Sequence, residues 1–123
     1  MATVLANLDE LRAQAFAAAD EALLDRVYLP GPLLEQDRAL LRRLVPAGCG
    51  LHGIRTSFAD VRTLGRTGAR TEVLAEATLS PGQLDCGPGQ STSIPGTPRT
   101  VLHIELAEDG AGYRIASQRA DPR

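Results

Sequence analysis

The stretch Leu51-His52-Gly53-Ile54-Arg55-Thr56-Ser57-Phe58-Ala59-Asp60-Val61-Arg62-Thr63-Leu64 is where the chain changes rhythm. Before it, apolar residues recur about every 3.6 positions, and from Gly50 onward they alternate with a period of about 2. The stretch therefore reads as a long strand, with Ile54, Thr56 and Phe58 on one side and Arg55, Ser57 and Ala59 on the other. Between Phe58 and Val61 the alternation slips by one residue, which predicts a β-bulge where the strand bends.

Working outward toward the N-terminus, the apolar spacing predicts three helical segments. Leu5, Leu8, Leu11, Ala15, Phe16 and Ala19 form one stripe, with Asp9, Glu10, Arg12 and Gln14 assigned to the opposite, outer side. Asp20 is an N-cap for a second, short helix over about 21–28, carrying Leu23, Leu24 and Val27 inward. Leu29-Pro30-Gly31-Pro32 stops it, because each proline steers its predecessor away from α geometry. A third helix is predicted over about 33–45, ended by Pro46 and Gly48. Arg38, Arg42 and Arg43, like Arg12, are expected on outer helix faces as solvated charges.

Toward the C-terminus, 65–69 reads as a turn and 70–79 as the partner strand, with Val73, Ala75, Ala77 and Leu79 inward. The stretch 80–98 opens with five glycines or prolines in ten residues and reads as a long loop or an irregular hairpin. A strand over 99–108 follows, with Leu102, Ile104 and Leu106 inward. Asp109-Gly110 turns the chain into a last strand carrying Tyr113 and Ile115. Helices first and antiparallel strands afterwards define an α+β class: three N-terminal helices packed on a curved antiparallel sheet of about four strands. Such a layout encloses a cone with an opening between helices and sheet, the natural place for a ligand.

The 123 residues suit one domain spanning 1–123, and a helix starting near residue 1 with a polar tail from Ala120 to Arg123 is what excision from a longer membrane-anchored or exported chain would leave. Thirteen basic residues against fifteen acidic ones give a formal charge of -2 and no basic stripe, which argues against nucleic acid. No apolar run of about 18–20 residues exists to enter a bilayer. Every basic residue is arginine, a mark of base composition in the genome. Cys49 and Cys86, 37 residues apart with no CxxC motif, do not make a zinc site with His52 and His103. Two readings stand for them: separate buried thiols, or one disulfide in an oxidising compartment. The turn contexts Gly48-Cys49-Gly50 and Asp85-Cys86-Gly87 favour the disulfide.

Several strings carry a resemblance. The segment Asp20-Glu-Ala-Leu-Leu-Asp-Arg-Val-Tyr28, then Pro30-Gly31-Pro32-Leu33-Leu34 and Asp37-Arg38-Ala39-Leu40-Leu41, resembles a domain of actinobacterial envelope-associated proteins in the nuclear-transport-factor-2-like superfamily. Val101-Leu-His-Ile-Glu-Leu106 with Asp109-Gly110, closed by Gly112-Tyr113-Arg114-Ile115-Ala116, resembles the final hairpin of such domains. The likeness covers nearly the whole chain but departs from the pattern over 83–97. It implies a cone-shaped fold whose members include ketosteroid isomerase, scytalone dehydratase and many non-catalytic binding or assembly modules, so fold does not choose a function. It also implies an extracytoplasmic, envelope-associated parent and either self-association through the sheet or a small molecule or peptide in the cone.

Proton-transfer chemistry in a cone needs an acid or base among its inward residues. None of the inward residues Ile54, Phe58, Val73, Ala75, Ala77, Leu79, Leu102, Ile104, Leu106, Tyr113 and Ile115 is a carboxylate. Asp60 sits near the bulge as a turn residue, and His103 falls on the outer face. Ser91 and Ser93 lack a base, and Cys86-Gly-Pro-Gly89 does not link a strand to a helix as a phosphate loop does. The pocket lining expected is Phe16, Tyr28, His52, Phe58 and Tyr113, with no catalytic residue, cofactor or metal. The function expected is a non-enzymatic binding or assembly domain, self-association using the outer face around Val101, His103, Glu105, Arg55 and Glu76. The alternative is a small isomerase or dehydratase acting on an apolar ligand with Tyr28, His52 and Asp60, a reading that a cone plugged by Phe16 and Phe58 would exclude.

Overall fold

A computed structural model describes residues 1–121; Pro122 and Arg123 of the polar tail lie outside the described residues. Helix α1 (Ala2–Ala18) ends in a left-handed Ala19, and the Asp20 amide closes onto the Ala15 carbonyl at 2.9 Å. Asp20 caps the next segment as its short side chain suggests, accepting from the Ala22 amide at 3.1 Å. That segment, Glu21–Arg26, is a 3-10 turn and not an α-helix. Its six residues are too few for α-helical propagation to outweigh the cost of nucleation. Helix α2 (Pro32–Leu44) has Pro32 at its first position, where a missing N–H costs nothing.

Seven strands follow: β1 (Gly50–His52), β2 (Thr56–Thr67), β3 (Arg70–Leu79), β4 (Gly82–Asp85), β5 (Ser91–Ile94), β6 (Thr97–Asp109) and β7 (Gly112–Ala120). The main sheet is antiparallel in the order β2-β3-β6-β7, and a small second sheet has the order β1-β4-β5. The strand expected over 51–64 is thus two strands in two sheets. Gly53, at φ 75, turns the chain between them, a conformation that costs a glycine little. The bulge does fall where the alternation slips: register shifts between Ala59 and Arg62, with Asp60 left-handed at φ 49. The stretch 80–98 resolves into an irregular hairpin, β4 pairing with β5 from Gly82↔Ile94 to Asp85↔Ser91. Ala120, expected in the tail, pairs with Leu102 as the last residue of β7.

Cys49 and Cys86 are joined in a disulfide that ties the entrance of β1 to the exit of β4, next to the Gly50↔Asp85 pair. Of the two readings, the crosslink is the one realised. Strand β1 is only three residues long, too short to hold the small sheet by its ladder alone. The disulfide supplies the missing constraint.

The core lies between the helices and the inner face of the main sheet. Phe16, Leu24, Val73, Ile104 and Leu106 are fully buried there, with Leu5, Leu34 and Leu41 from the helices. Leu84 and Ile94 of the small sheet pack against its edge, which is why that hairpin is ordered despite its glycine content. After the 3-10 turn the chain docks on the sheet: the Leu29 amide donates to the Ile115 carbonyl at 2.9 Å, and the Ile115 amide to Val27 at 2.7 Å. Opening the disulfide, by reduction or as Cys49→Ser/Cys86→Ser, is expected to lower stability by about 3–4 kcal/mol in the chain-entropy picture. Urea denaturation with and without reductant checks this, and a loss below about 1 kcal/mol would show that packing alone holds the hairpin.

Candidate functional site

A hollow of about 380 Å³ lies between α1, the start of α2 and the inner face of the main sheet. Leu5, Leu8, Val27, Phe58, Leu102 and Ile115 make its apolar wall. Polar side chains reach it from both layers: Asp9, Arg12 and Asp37 from the helices, Tyr28 from the segment after the 3-10 turn, and Thr56, Thr100 and Gln118 among those of the sheet. The expectation that no carboxylate faces the cone is therefore corrected, because two do. The sheet supplies none, as its inward pattern indicates, and the helices supply both.

Helical phase explains how. Arg12 lies four residues after Leu8 and four before Phe16, Asp9 four after Leu5, and Asp37 three after Leu34 and four before Leu41. Residues three and four apart share a helix face, so these charges sit within the apolar stripes and not on the outer side. Arg12 is accordingly not a solvated surface charge. Its Nε donates to Asp37 Oδ2 at 2.8 Å and its Nη2 to Asp37 Oδ1 at 3.3 Å. The guanidinium also lies 5.0 Å from the centre of the Phe16 ring, a cation–π distance. The Tyr28 hydroxyl donates to Asp37 Oδ2 at 2.8 Å. Asp37 thereby satisfies a cation and a hydroxyl at once, which is what permits a residue only 8 % exposed to be an aspartate.

The protonation states follow from these contacts. Burial opposes the charge on Arg12, but the hydrogen bond and charge of Asp37 outweigh it and raise the guanidinium pKa further. Burial pushes the Tyr28 hydroxyl well above its usual range, Arg12 opposing and Asp37 adding, so Tyr28 remains a donor. Asp9 is different. Burial raises its carboxyl pKa, and the Thr56 amide, donating to Oδ2 at 3.0 Å, only partly offsets that.

Of the lining expected from sequence, Tyr28 and Phe58 face this hollow. Phe16 does not; it is fully buried beneath Arg12, where the core gains more from its ring than a wall would. Tyr113 faces a second hollow of about 540 Å³ with Val4, Leu8, Leu11 and Arg26. His52 is exposed on the short β1, and Asp60 lies on the outer face beside Arg62, Glu76 and Val101, so neither serves the cone. The outer face is laced with ion pairs, Arg70 to Glu105 at 2.8 Å and His103 to Glu72 at 3.4 Å among them. Arg55 is not part of it, pairing instead with Glu10 of α1. Among the described residues no cluster of three or more histidines, cysteines or carboxylates is placed to hold a metal, and no helix is long and apolar enough to cross a membrane.

Truncating Arg12 as Arg12→Met should cost on the order of 3 kcal/mol, since it strands the Asp37 charge, whereas Tyr28→Phe should cost about 1–2 kcal/mol. Arg12→Met/Asp37→Leu should recover most of the first loss. Urea denaturation of these variants and of Asp37→Leu tests this, and a double-variant loss equal to the sum of the Arg12→Met and Asp37→Leu losses would show the pair to be uncoupled.

No protein-family model matches the sequence, and no curated protein does. Among solved structures, the chain is similar to the intermembrane space region of the chloroplast protein ARC6, at 16 % identity and TM-score 0.69, covering 98 % of this chain and 95 % of that one. It also matches an engineered protein of the nuclear-transport-factor-2 type at 12 % identity and TM-score 0.49, covering 94 % of each chain. With its helices laid over a bulged antiparallel sheet and a hollow between them, the chain shares the α+β fold of that intermembrane space region.

Proposed function

We propose that this is a non-enzymatic binding domain that holds a small molecule, or a side chain of a bound peptide, in the hollow between helices and sheet. The observation that carries this reading is the hollow itself: its size falls within the range of small-molecule sites, and its lining combines apolar side chains with polar ones from both helices and sheet. Phe58 lines the chamber without filling it, and Phe16 is withdrawn into the core. Arg12, Asp37 and Tyr28 spend their hydrogen bonds on one another, which suits a rigid wall better than a proton-transfer relay.

The working compartment proposed is extracytoplasmic and envelope-associated. The disulfide supports an oxidising surrounding, where such bonds persist. The similarity to the intermembrane space region of a chloroplast protein points the same way.

Nile red, a neutral apolar dye, tests the binding reading. We expect saturable one-to-one binding that Ala77→Phe, which fills the wall from the sheet, and Thr100→Phe at the rim each weaken about tenfold, a loss of about 1.4 kcal/mol. Retained binding in both variants, with unchanged circular dichroism, would place the dye elsewhere and sink the reading.

A second reading, proton transfer to or from a bound apolar substrate, is favoured by one observation: a half-buried Asp9 with its pKa raised faces the hollow. It replaces Tyr28, His52 and Asp60 as the polar set, since two of those lie outside. If it holds, 4-phenyl-2-butanone in deuterated buffer loses its α-protons faster with the protein than with Asp9→Asn. Equal rates leave binding as the function.

A further inference from the structure

Three charged side chains line the hollow: Asp9 and Asp37, each negative, and Arg12, positive, so the chamber carries one net negative charge. Arg12 is committed to Asp37 through two hydrogen bonds, and Tyr28 takes a further acceptor position on Asp37. The other cation near Asp9 is Arg55, and its guanidinium is turned to Glu10 at the surface. Asp9 is left with the amide and hydroxyl of Thr56. A carboxylate offers about four acceptor positions, so Asp9, which lines the chamber, retains acceptor capacity beyond its Thr56 bonds.

From this arrangement we infer that the ligand is an apolar molecule ending in a protonated amine, whose ammonium seats on Asp9 while its body lies against Leu5, Leu8, Phe58 and Leu102. The inference rests on reading the hollow as a binding chamber and adds the chemical class of its occupant. The alternatives are disfavoured by the same groups. A carboxylate or phosphate would meet Asp9 with Arg12 already engaged. A wholly apolar guest can occupy the chamber but shields Asp9 from solvent without offering it a donor, so it binds more weakly than a guest that supplies one. An ammonium supplies it through a charge-assisted hydrogen bond.

Three isosteric probes separate the possibilities: 4-phenylbutylamine, 4-phenylbutanol and 4-phenylbutyrate, each competed against Nile red at pH 7. The expected result is an amine affinity about tenfold or more above that of the alcohol, with the acid weakest. Asp9→Asn should reduce the amine's advantage to about threefold or less and leave the alcohol nearly unchanged, while Asp9→Glu should keep much of the preference. An alcohol or acid that binds as tightly as the amine overturns the inference, as does a preference that survives Asp9→Asn, or failure of all three probes to displace bound Nile red. Nile red failing to bind at all would instead overturn the chamber reading beneath it. A small amine and a peptide lysine share this chemistry. Acetyl-Phe-Lys-Phe-amide binding tighter than 4-phenylbutylamine assigns a peptide source, and the reverse assigns a small molecule.

Discussion

The buried pairing of Arg12 with Asp37, completed by the Tyr28 hydroxyl, is the constraint on which the helical layer depends. It joins the middle of α1 to the middle of α2 across 25 residues of sequence and draws in the segment between the 3-10 turn and α2. That segment is itself hydrogen-bonded to β7 through Val27, Leu29 and Ile115. Helices and sheet are therefore registered by a short polar corner within an otherwise apolar contact. Apolar packing is tolerant of small slides, whereas a charge pair left open in the interior is not. The same corner explains why a hollow persists beside it. Charged groups cannot be pressed flat against Leu102 and Ile115 without losing partners, so the helices stand off the sheet there.

The two sheets have different sources of order. The main one is held by long ladders and a buried inner face of Val73, Ala75, Ile104 and Leu106. The small one has strands of three or four residues, and it persists because Leu84 and Ile94 reach the core and a disulfide closes its base. A covalent tie replaces ladder length.

Two aspartates in one hollow show how environment divides identical chemistry. Asp37 is more deeply placed, with its side chain 12 % exposed, yet it is fully partnered and structural in character. Asp9 is shallower and has neutral donors only. Of the two, the shallower group is the one with interaction capacity to offer a guest.

The pattern of apolar residues by itself determined the class, the helix-to-strand change at Gly50, the bulge after Phe58, the inward face of each long strand and the turn at Asp109-Gly110. These features are local, since they follow from side-chain period and from turn chemistry over a few residues. The break of the first long strand at Gly53 was not legible, because alternation continues across it and only the closing of β1 onto β4 shows the division. Nor was the site. Arg12, Asp9 and Asp37 carried a signal in their phase with Leu8, Phe16, Leu5, Leu34 and Leu41, yet a charge on an apolar stripe is normally placed outward until its partner is known. That partner lay 25 residues away on another helix, a distance no local pattern spans. Tertiary structure alone decided it, because burying a charge is favourable or ruinous according to what stands opposite, and the fold determines what stands opposite.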